Sequence, residues 1–466
     1  MIELSNVPAP GHDATRRVVE FALRFPASDL PSDVRSDTRT RLLDGIAVAL
    51  AAVDADGIAA LRAAAEEWGG APQAGIIGGA QRAPAPTSAL VNGAMMHALD
   101  FDDTHAAGYI HPGAVIVPAA LAAAERAGHT SGAELLAAIA VNCEVMTRLG
   151  LAFPGASKAT CGWHFTPLLG HLAAALAAAR IAGLSVDQGI AALGIAYHQA
   201  SGNMQGLVDG GLSKRLGPGL AAQHGVIAAQ LAARGVTGAK HSLEGPFGVF
   251  RQYGGCQGDF GMLLDGLGER FESRDIFVKP YPCCALVHPF IEAALALKRA
   301  AIFSAEDVVA IHVRRGKSAD LVCQPTESKQ HPRNLVDAQF SACWGIAAAL
   351  ARGRVAIDAY SEAALRVEEL RRLAAMATIE IDERLSRMHE VDAVEISVLL
   401  RDGRPLRSAS GEERTSSMLK PLEIAIDKLQ GRLGATDIID AVGTLEGEPN
   451  LERLTSLLFR QAAQSP

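Results

Sequence analysis

Between two apolar runs the chain places Leu99-Asp100-Phe101-Asp102-Asp103-Thr104-His105, closing on His111-Pro112-Gly113. The run before it, Ala89 to Ala98, reads as a helix packed in a core. After Pro112 the chain is apolar again, at Ala114-Val115-Ile116-Val117. Three carboxylates, a hydroxyl and two imidazoles between buried helices must find partners, because an unpaired buried charge is costly. Any fold for this chain has to bring donors or cations to this stretch, either to cap helices or to build a site.

At 466 residues the chain exceeds one small core, and two or three domains are expected. Its alanine-rich composition favours close-packed helices. A net charge of −8 (43 basic, 51 acidic residues) and the lack of a basic run argue against a nucleic-acid partner. Apolar segments such as Leu168 to Ala179 are too short to span a membrane, and Met1 to Pro8 has no basic n-region before an apolar stretch. The expectation is a cytoplasmic protein with no membrane partner. The cysteines are Cys143, Cys161, Cys256, Cys283, Cys284, Cys323 and Cys343. Their odd number, their spacing and the missing C-x-x-C pattern argue against a disulfide framework, a zinc site or an iron–sulfur cluster. They read as small buried apolar residues.

Periodicity predicts helices over Arg16 to Phe25, Asp33 to Val53 with Ser32 as N-cap, and Ile58 to Trp68. Gly75 to Gly79 reads as a turn beside a short extended piece, and Thr87 starts the helix leading into the Asp stretch. Ser131 and Glu134 have capping-box spacing and open a helix to Gly150. Further helices run from Thr166-Pro167 to Ala182, from the cap Ser185 to Ala200, and from Pro218-Gly219 to Gly235. After Arg270 the composition shifts. Val308 to Arg314, Ala377 to Ile381 and Val394 to Val398 alternate like strands, and Asp402-Gly403 carries a hairpin signal. Helices are expected at Pro289 to Ala300 and Ala338 to Ala351. The tail turns helical at Ile424 to Leu433, Thr436 to Gly443 and Asn450 to Phe459. The expected division is 1–270 plus 409–466 as an all-helical domain and 271–408 as a smaller α+β domain.

A basic side chain recurs beside helix-opening prolines: His111 before Pro112, His164 before Thr166-Pro167, Lys214 four residues before Pro218, and His288 before Pro289. Free N–H groups at such ends favour an anion. Together with the Asp stretch they suggest one pocket for a carboxylate or phosphate. Each residue also has a plainer reading: His164 between Trp163 and Phe165 suits a satisfied core histidine, Lys214 an exposed loop. Lys279, in Lys279-Pro280-Tyr281-Pro282-Cys283-Cys284, sits at the apparent domain boundary, where a stiff Pro-x-Pro segment is either a cleft wall or a linker.

Ala98-Leu99-Asp100-Phe101-Asp102-Asp103-Thr104 with His111-Pro112-Gly113, Gly162-Trp163-His164, Ser213-Lys214-Arg215-Leu216, and Lys279-Pro280-Tyr281-Pro282-Cys283-Cys284 with His288 resemble the MmgE/PrpD family, in order and from about Arg41 to Leu458. That family includes 2-methylcitrate dehydratase, cis-aconitate decarboxylase and iminodisuccinate epimerase. The resemblance implies a mostly α fold, a large helical domain completed by the tail, and a smaller α+β lid. It further implies a homodimer that needs no metal or cofactor, with its site between domains. By analogy with the decarboxylase branch, the site residues map to Asp100, Thr104, His111, His164, Lys214 and Lys279. Gly217 stands where many relatives have histidine, and Ala285 where many have a polar residue. A tyrosine supplied by the lid in some decarboxylases has no counterpart near Leu321-Val322-Cys323.

The chemistry common to such reactions is proton transfer at a carbon beside a carboxylate. The expected assignment gives proton transfer to His111 or His164, with Asp100 orienting the partner group. Thr104, Lys214, Arg215, Lys279 and His288 bind substrate, the lysines stabilising the developing enolate. A hydro-lyase acting on a small di- or tricarboxylate is the leading form, with a decarboxylase or epimerase as the alternative. A metal-dependent enzyme using the Asp cluster for terpene-type cyclisation is disfavoured by only 5% aromatic residues, too few for a cation cage. A non-catalytic carboxylate-binding or scaffold protein is the remaining alternative.

Overall fold

The computed structural model describes residues 13–154, 162–255, 258–386, 392–410, 421–432 and 434–459. The cysteine positions 161 and 256 and the stretch Met1 to Pro8 lie outside them. The fold is mostly α with a smaller α+β part. Nine longer helices come first: α1 (Ala14–Arg24), α2 (Ser32–Ala51), α3 (Ile58–Trp68), α4 (Ala85–His97), α5 (Gly113–Ala127), α6 (Gly132–Ala152), α7 (Phe165–Ile181), α8 (Val186–Gln199) and α9 (Ser213–Ala233). Their apolar faces share one core, which the tail joins through Ala425, Leu429, Ile438 and Leu454.

The central helices are apolar on nearly every face because they are surrounded. Every residue of α7 is buried. Among the described helices only α6 is long and apolar enough to cross a membrane. Some 94% of its most apolar window is packed inside the protein, where it carries the Glu144–Arg148 ion pair. Helices α4 and α9 cross with their backbones in contact. A Cβ on Gly93 would lie 2.7 Å from the Gly219 Cα, and one on Gly219 2.2 Å from the Leu90 carbonyl oxygen. Only glycine permits that approach. It brings the first turn of α9, with Lys214, alongside the end of α4.

A second core gathers α10 (His288–Ala300), β1 (Val308–Arg315), α11 (Ala342–Arg352), α12 (Glu368–Met376), β2 (Ala377–Ile381), β3 (Val394–Leu400) and β4 (Pro405–Ala409). The sheet order is β2-β1-β3-β4. β1 pairs parallel with β2 (Ile311 opposite Ala377) and antiparallel with β3 (Ile311 opposite Val398). Val394, Ile396, Val398 and Leu400 are buried at every second position, as a sheet with one covered face requires. The Asp402-Gly403 turn joins β3 to β4, with Gly403 at φ 85°. The tail forms α13 (Pro421–Leu429), α14 (Ala435–Gly443) and α15 (Glu452–Leu458).

Several local expectations are corrected. α9 starts at Ser213 and runs through Pro218, so Lys214 lies inside its first turn rather than ahead of it. Pro218 forfeits one backbone bond there, where the helix is only beginning. Ser32 is the first residue of α2, flanked by Pro31, and makes no cap bond. The Ser131 hydroxyl accepts the Glu134 N–H at 3.2 Å, but the Glu134 carboxylate pairs with Arg180 at 2.7 Å instead of closing a box. Ser185 and Gln188 do form a complete capping box. The helix expected over Ala338 to Ala351 is two helices, Leu335–Gln339 and α11, because the Ser341 hydroxyl takes the Trp344 N–H at 3.0 Å and starts a new one. Cys143, Cys283, Cys323 and Cys343 are buried free thiols, and Cys284 is half-buried.

Candidate active site

α4 ends at His97, and the chain then turns sharply through Asp100, which sits at φ 51°. Aspartate tolerates that left-handed conformation better than most residues. Both of its carboxylate oxygens meet ammonium groups. Lys279 Nζ lies 2.6 Å from Oδ1 and donates to the Asp100 carbonyl at 3.0 Å, while Lys214 Nζ donates to Oδ2. Lys279 is delivered by a two-way backbone pairing of Thr104 with Phe277, at 2.9 Å in each direction. Lys214 lies under the Phe340 ring of the smaller lobe, 4.9 Å from its centroid. Burial works against the Asp100 charge. Lys214 and Lys279 more than offset it and hold the carboxyl well below the usual carboxylate range.

Asp102 turns the other way. His97 Nδ1 lies 2.7 Å from its Oδ2, and His111 Nδ1 3.6 Å from the same oxygen. Burial again opposes the charge, but the two imidazoles and the His97 hydrogen bond hold Asp102 below its ordinary range. His111 Nδ1 is 2.9 Å from the Asp103 carbonyl and 3.0 Å from the Thr104 hydroxyl. A carbonyl only accepts, so Nδ1 carries the proton and Nε2 has a lone pair. The His111 backbone N–H donates to the Thr166 hydroxyl at 3.1 Å, which ties the entrances of α5 and α7 together. His164 is the residue before α7, its side chain making no cap bond, and its ring centroid is 5.9 Å from that of His97, which is 5.1 Å from that of His111. With 16% of its side chain exposed, His111 is the more open partner of Asp102; His97 is fully buried.

The structure thus brings Asp100, Thr104, His111, His164, Lys214 and Lys279 into one buried cluster. Arg215 is not drawn in by a direct bond: its guanidinium donates to the Asp56 carbonyl at 3.1 Å. His288 packs edge-on against Tyr281, with centroids 5.2 Å apart, and lies within reach of the charges of Lys279 and Asp100. Sequence reasoning missed His97, hidden in an apolar run, and the roles of Asp102 and Asp103. Asp103 pairs with Arg41 at 2.9 Å and accepts the Gly113 N–H at 2.9 Å, an interaction that only the three-dimensional return of α2 reveals. Gly217 faces the cluster as well: a Cβ there would lie 3.7 Å from His164 Nδ1.

Among the described residues, one trio, His97, Asp102 and His111, has donor atoms close enough for a metal ion, within 4.8 Å of one another. The fit is poor. His111 Nδ1 is committed to a carbonyl, and the Lys279 ammonium lies 3.9 Å from Asp102 Oδ1, where it would repel a cation. Two surface cavities, of about 230 and 700 Å³, are lined by residues of α5, α7 and α9 and by residues around Tyr197 and Tyr253, and neither touches the cluster.

Burial lowers the pKa of each site histidine: His111 and His288 to about 3, His97 below its usual value and His164 well below it. In the unfolded chain these groups titrate near about 6.5. Between about 6.5 and 3 the unfolded state therefore binds protons that the folded state refuses. Stability is full above that window and falls as pH drops through it. Asp103 and Glu292, pushed up to about 7 by burial, act with the opposite sign, as do Asp37, Asp44 and Glu125, which burial also raises. In urea unfolding from pH 7 to pH 4.5, the histidines' contribution to stability is expected to fall steadily. His288→Asn should make the slope shallower by up to about 1.4 kcal/mol per pH unit.

Family models for the MmgE/PrpD N-terminal domain and the MmgE/PrpD C-terminal domain match residues 16–258 and 281–425. The chain is 32% identical over 302 residues to a cis-aconitate decarboxylase-like protein, oryM, of Aspergillus oryzae, a match covering 62% of each. It is 31% identical over 295 residues to a cis-aconitate decarboxylase of Aspergillus terreus (61% of this chain, 60% of the relative). It is 29% identical over 332 residues to the human cis-aconitate decarboxylase (69% and 67%). The matched stretch spans less than two thirds of the length of the fungal relatives.

Proposed function

The chain belongs to the MmgE/PrpD family, and from that premise we propose that it is a lyase that acts on a small di- or tricarboxylate by moving a proton at the carbon next to a carboxylate. The observation that carries this reading is the pairing of two buried ammonium groups on Asp100 beside three neutral imidazoles. In the free site the two lysines balance Asp100 and Asp102. An incoming polycarboxylate therefore adds negative charge and draws protons onto His111 and His164. That shift moves the histidines from depressed values toward working pH, where proton transfer is most effective.

In this reading Lys214 and Lys279 stabilise the electron pair that develops beside the substrate carboxylate. His111, held through Nδ1, presents Nε2 as the proton-transfer atom, and His164 serves the neighbouring substrate position. Asp100 fixes both lysines, and Thr104 fixes the His111 ring. For loss of carbon dioxide, the C–C bond breaks, its electrons stay on carbon, and a histidine proton fills the vacancy. For dehydration, a histidine takes the carbon-bound proton and a second acid protonates the departing hydroxyl. The names of the relatives favour the first form. The stretch Leu321-Val322-Cys323 carries no tyrosine, which favours the second, while the smaller lobe brings the buried Tyr360 close to Cys283 and Asp100. The work is assigned to the chain's own side chains, without a cofactor. A cytoplasmic homodimer is part of the same proposal.

The test is incubation of purified protein with cis-aconitate, 2-methylcitrate and related acids, with products read by mass spectrometry. A mass loss of carbon dioxide or of water from one acid is expected. No conversion of any acid, and no thermal shift with any of them, would leave the non-catalytic scaffold reading in its place.

A further inference from the structure

Three successive carbonyls of the turn that carries Asp100 are each held by a side chain from a different part of the protein. The Leu99 carbonyl accepts from Gln339 Nε2 at 2.8 Å, the Asp100 carbonyl from Lys279 at 3.0 Å, and the Phe101 carbonyl from Lys428 Nζ at 2.7 Å. Gln339 belongs to the smaller lobe and is anchored by its own carbonyl, which accepts the Cys284 N–H at 3.0 Å. Lys428 comes from α13 in the tail. Its ammonium is buried, lies 4.0 Å from the Phe101 ring centroid, and is paired with Asp44 of α2 at 2.5 Å.

Peptide carbonyls direct the backbone on either side of them. Donors on the Leu99 and Phe101 carbonyls therefore bracket the one residue whose left-handed φ aims a carboxylate at both lysines. Helical backbone would satisfy these carbonyls without help; this turn cannot. A buried lysine spent on a main-chain oxygen is an expensive device, since its charge must be desolvated and then balanced by Asp44.

We infer that Lys428 and Gln339 are positioning residues for Asp100: the tail and the smaller lobe each grip one flank of its turn, so that the paired-lysine site assembles only when both are docked. The inference rests on the proposed reading of that site, and it adds residues outside those the resemblance pointed to.

Lys428→Met alone leaves Asp44 buried and unpaired, and such a variant can fail to fold. The decisive protein is therefore Asp44→Asn/Lys428→Met, in which the charge is removed as a pair and the Phe101 carbonyl loses its donor. Gln339→Leu is its counterpart on the smaller lobe. For both, the expected results are a melting temperature close to that of the wild type and a kcat at least tenfold lower with KM within about twofold. Amide hydrogen exchange is expected to be at least tenfold faster in the peptide spanning Leu99 to His105, while the α7 peptides keep their protection. A double variant with wild-type kcat and wild-type exchange in that peptide would show that Lys428 only neutralises Asp44, and would overturn the inference. If the wild-type protein converts none of the acids, the proposed function falls. The exchange result still decides whether Lys428 and Gln339 hold the turn.

Discussion

Replacing Lys279 with methionine is expected to lower kcat at least about a thousandfold and to cost about 3–5 kcal/mol of stability. Lys279 is fully buried, and its ammonium faces Asp100 at 2.6 Å and Asp102 at 3.9 Å. Burial alone would lower its pKa. The two carboxylates more than offset that and raise it, so it stays charged throughout the working range. Without it, two buried carboxylates confront the single ammonium of Lys214. The Asp100 carbonyl also loses its donor. Urea unfolding and steady-state kinetics check the two parts separately. Adding Asp100→Asn to Lys279→Met should recover much of the stability, because the stranded charge is gone, and none of the turnover, because the electrostatic stabilisation is gone too. Recovery of both would make Lys279 a structural residue only.

His111→Asn is expected to cut kcat by about 10²- to 10⁴-fold, the range of a lost proton-transfer group, with little change in folding. The partners of Nδ1 are the Asp103 carbonyl and the Thr104 hydroxyl, and an asparagine amide offers a donor of similar reach. It offers no titrating nitrogen on the open side. The remaining activity should lose one limb of its pH dependence. A variant with unchanged kcat and an unchanged pH profile would move proton transfer to His164, whose substitution should then show the same loss.

Much of the site was legible because its residues announce themselves. Prolines mark the helix entrances at His111, His164 and His288, and an Asp-rich stretch between apolar runs demands partners. The strands were legible from alternation at Val308 to Arg314 and Val394 to Val398, and Asp402-Gly403 marked the hairpin. Other features depend on pairs that are far apart in sequence. Nothing near Lys428 points to Asp44, and nothing near Arg41 points to Asp103; each pair exists only because the tail and α2 pack behind the Asp turn. Gln339 and Phe340 carry no motif and matter only through where the smaller lobe sits. Arg215 misled for the opposite reason: its position beside Lys214 is real, but helical rotation turns it toward Asp56. α9 begins ahead of Pro218, since Ser213 and Lys214 already belong to it, so a proline that usually opens a helix here lies within one.

The account stands on a buried group of lysines and histidines that makes and breaks a carbon–hydrogen bond beside a carboxylate. The most direct measurement is proton and mass spectroscopy of cis-aconitate and related acids incubated with the protein in deuterated water, with His111→Asn alongside. Loss of carbon dioxide is expected to leave one solvent deuteron on carbon in the product, and loss of water to remove the carbon-bound proton, with either reaction at least about a hundredfold slower in the variant. Loss of carbon dioxide with no deuterium on any carbon of the product, or conversion at an unchanged rate when His111 and His164 are both replaced, would contradict the account.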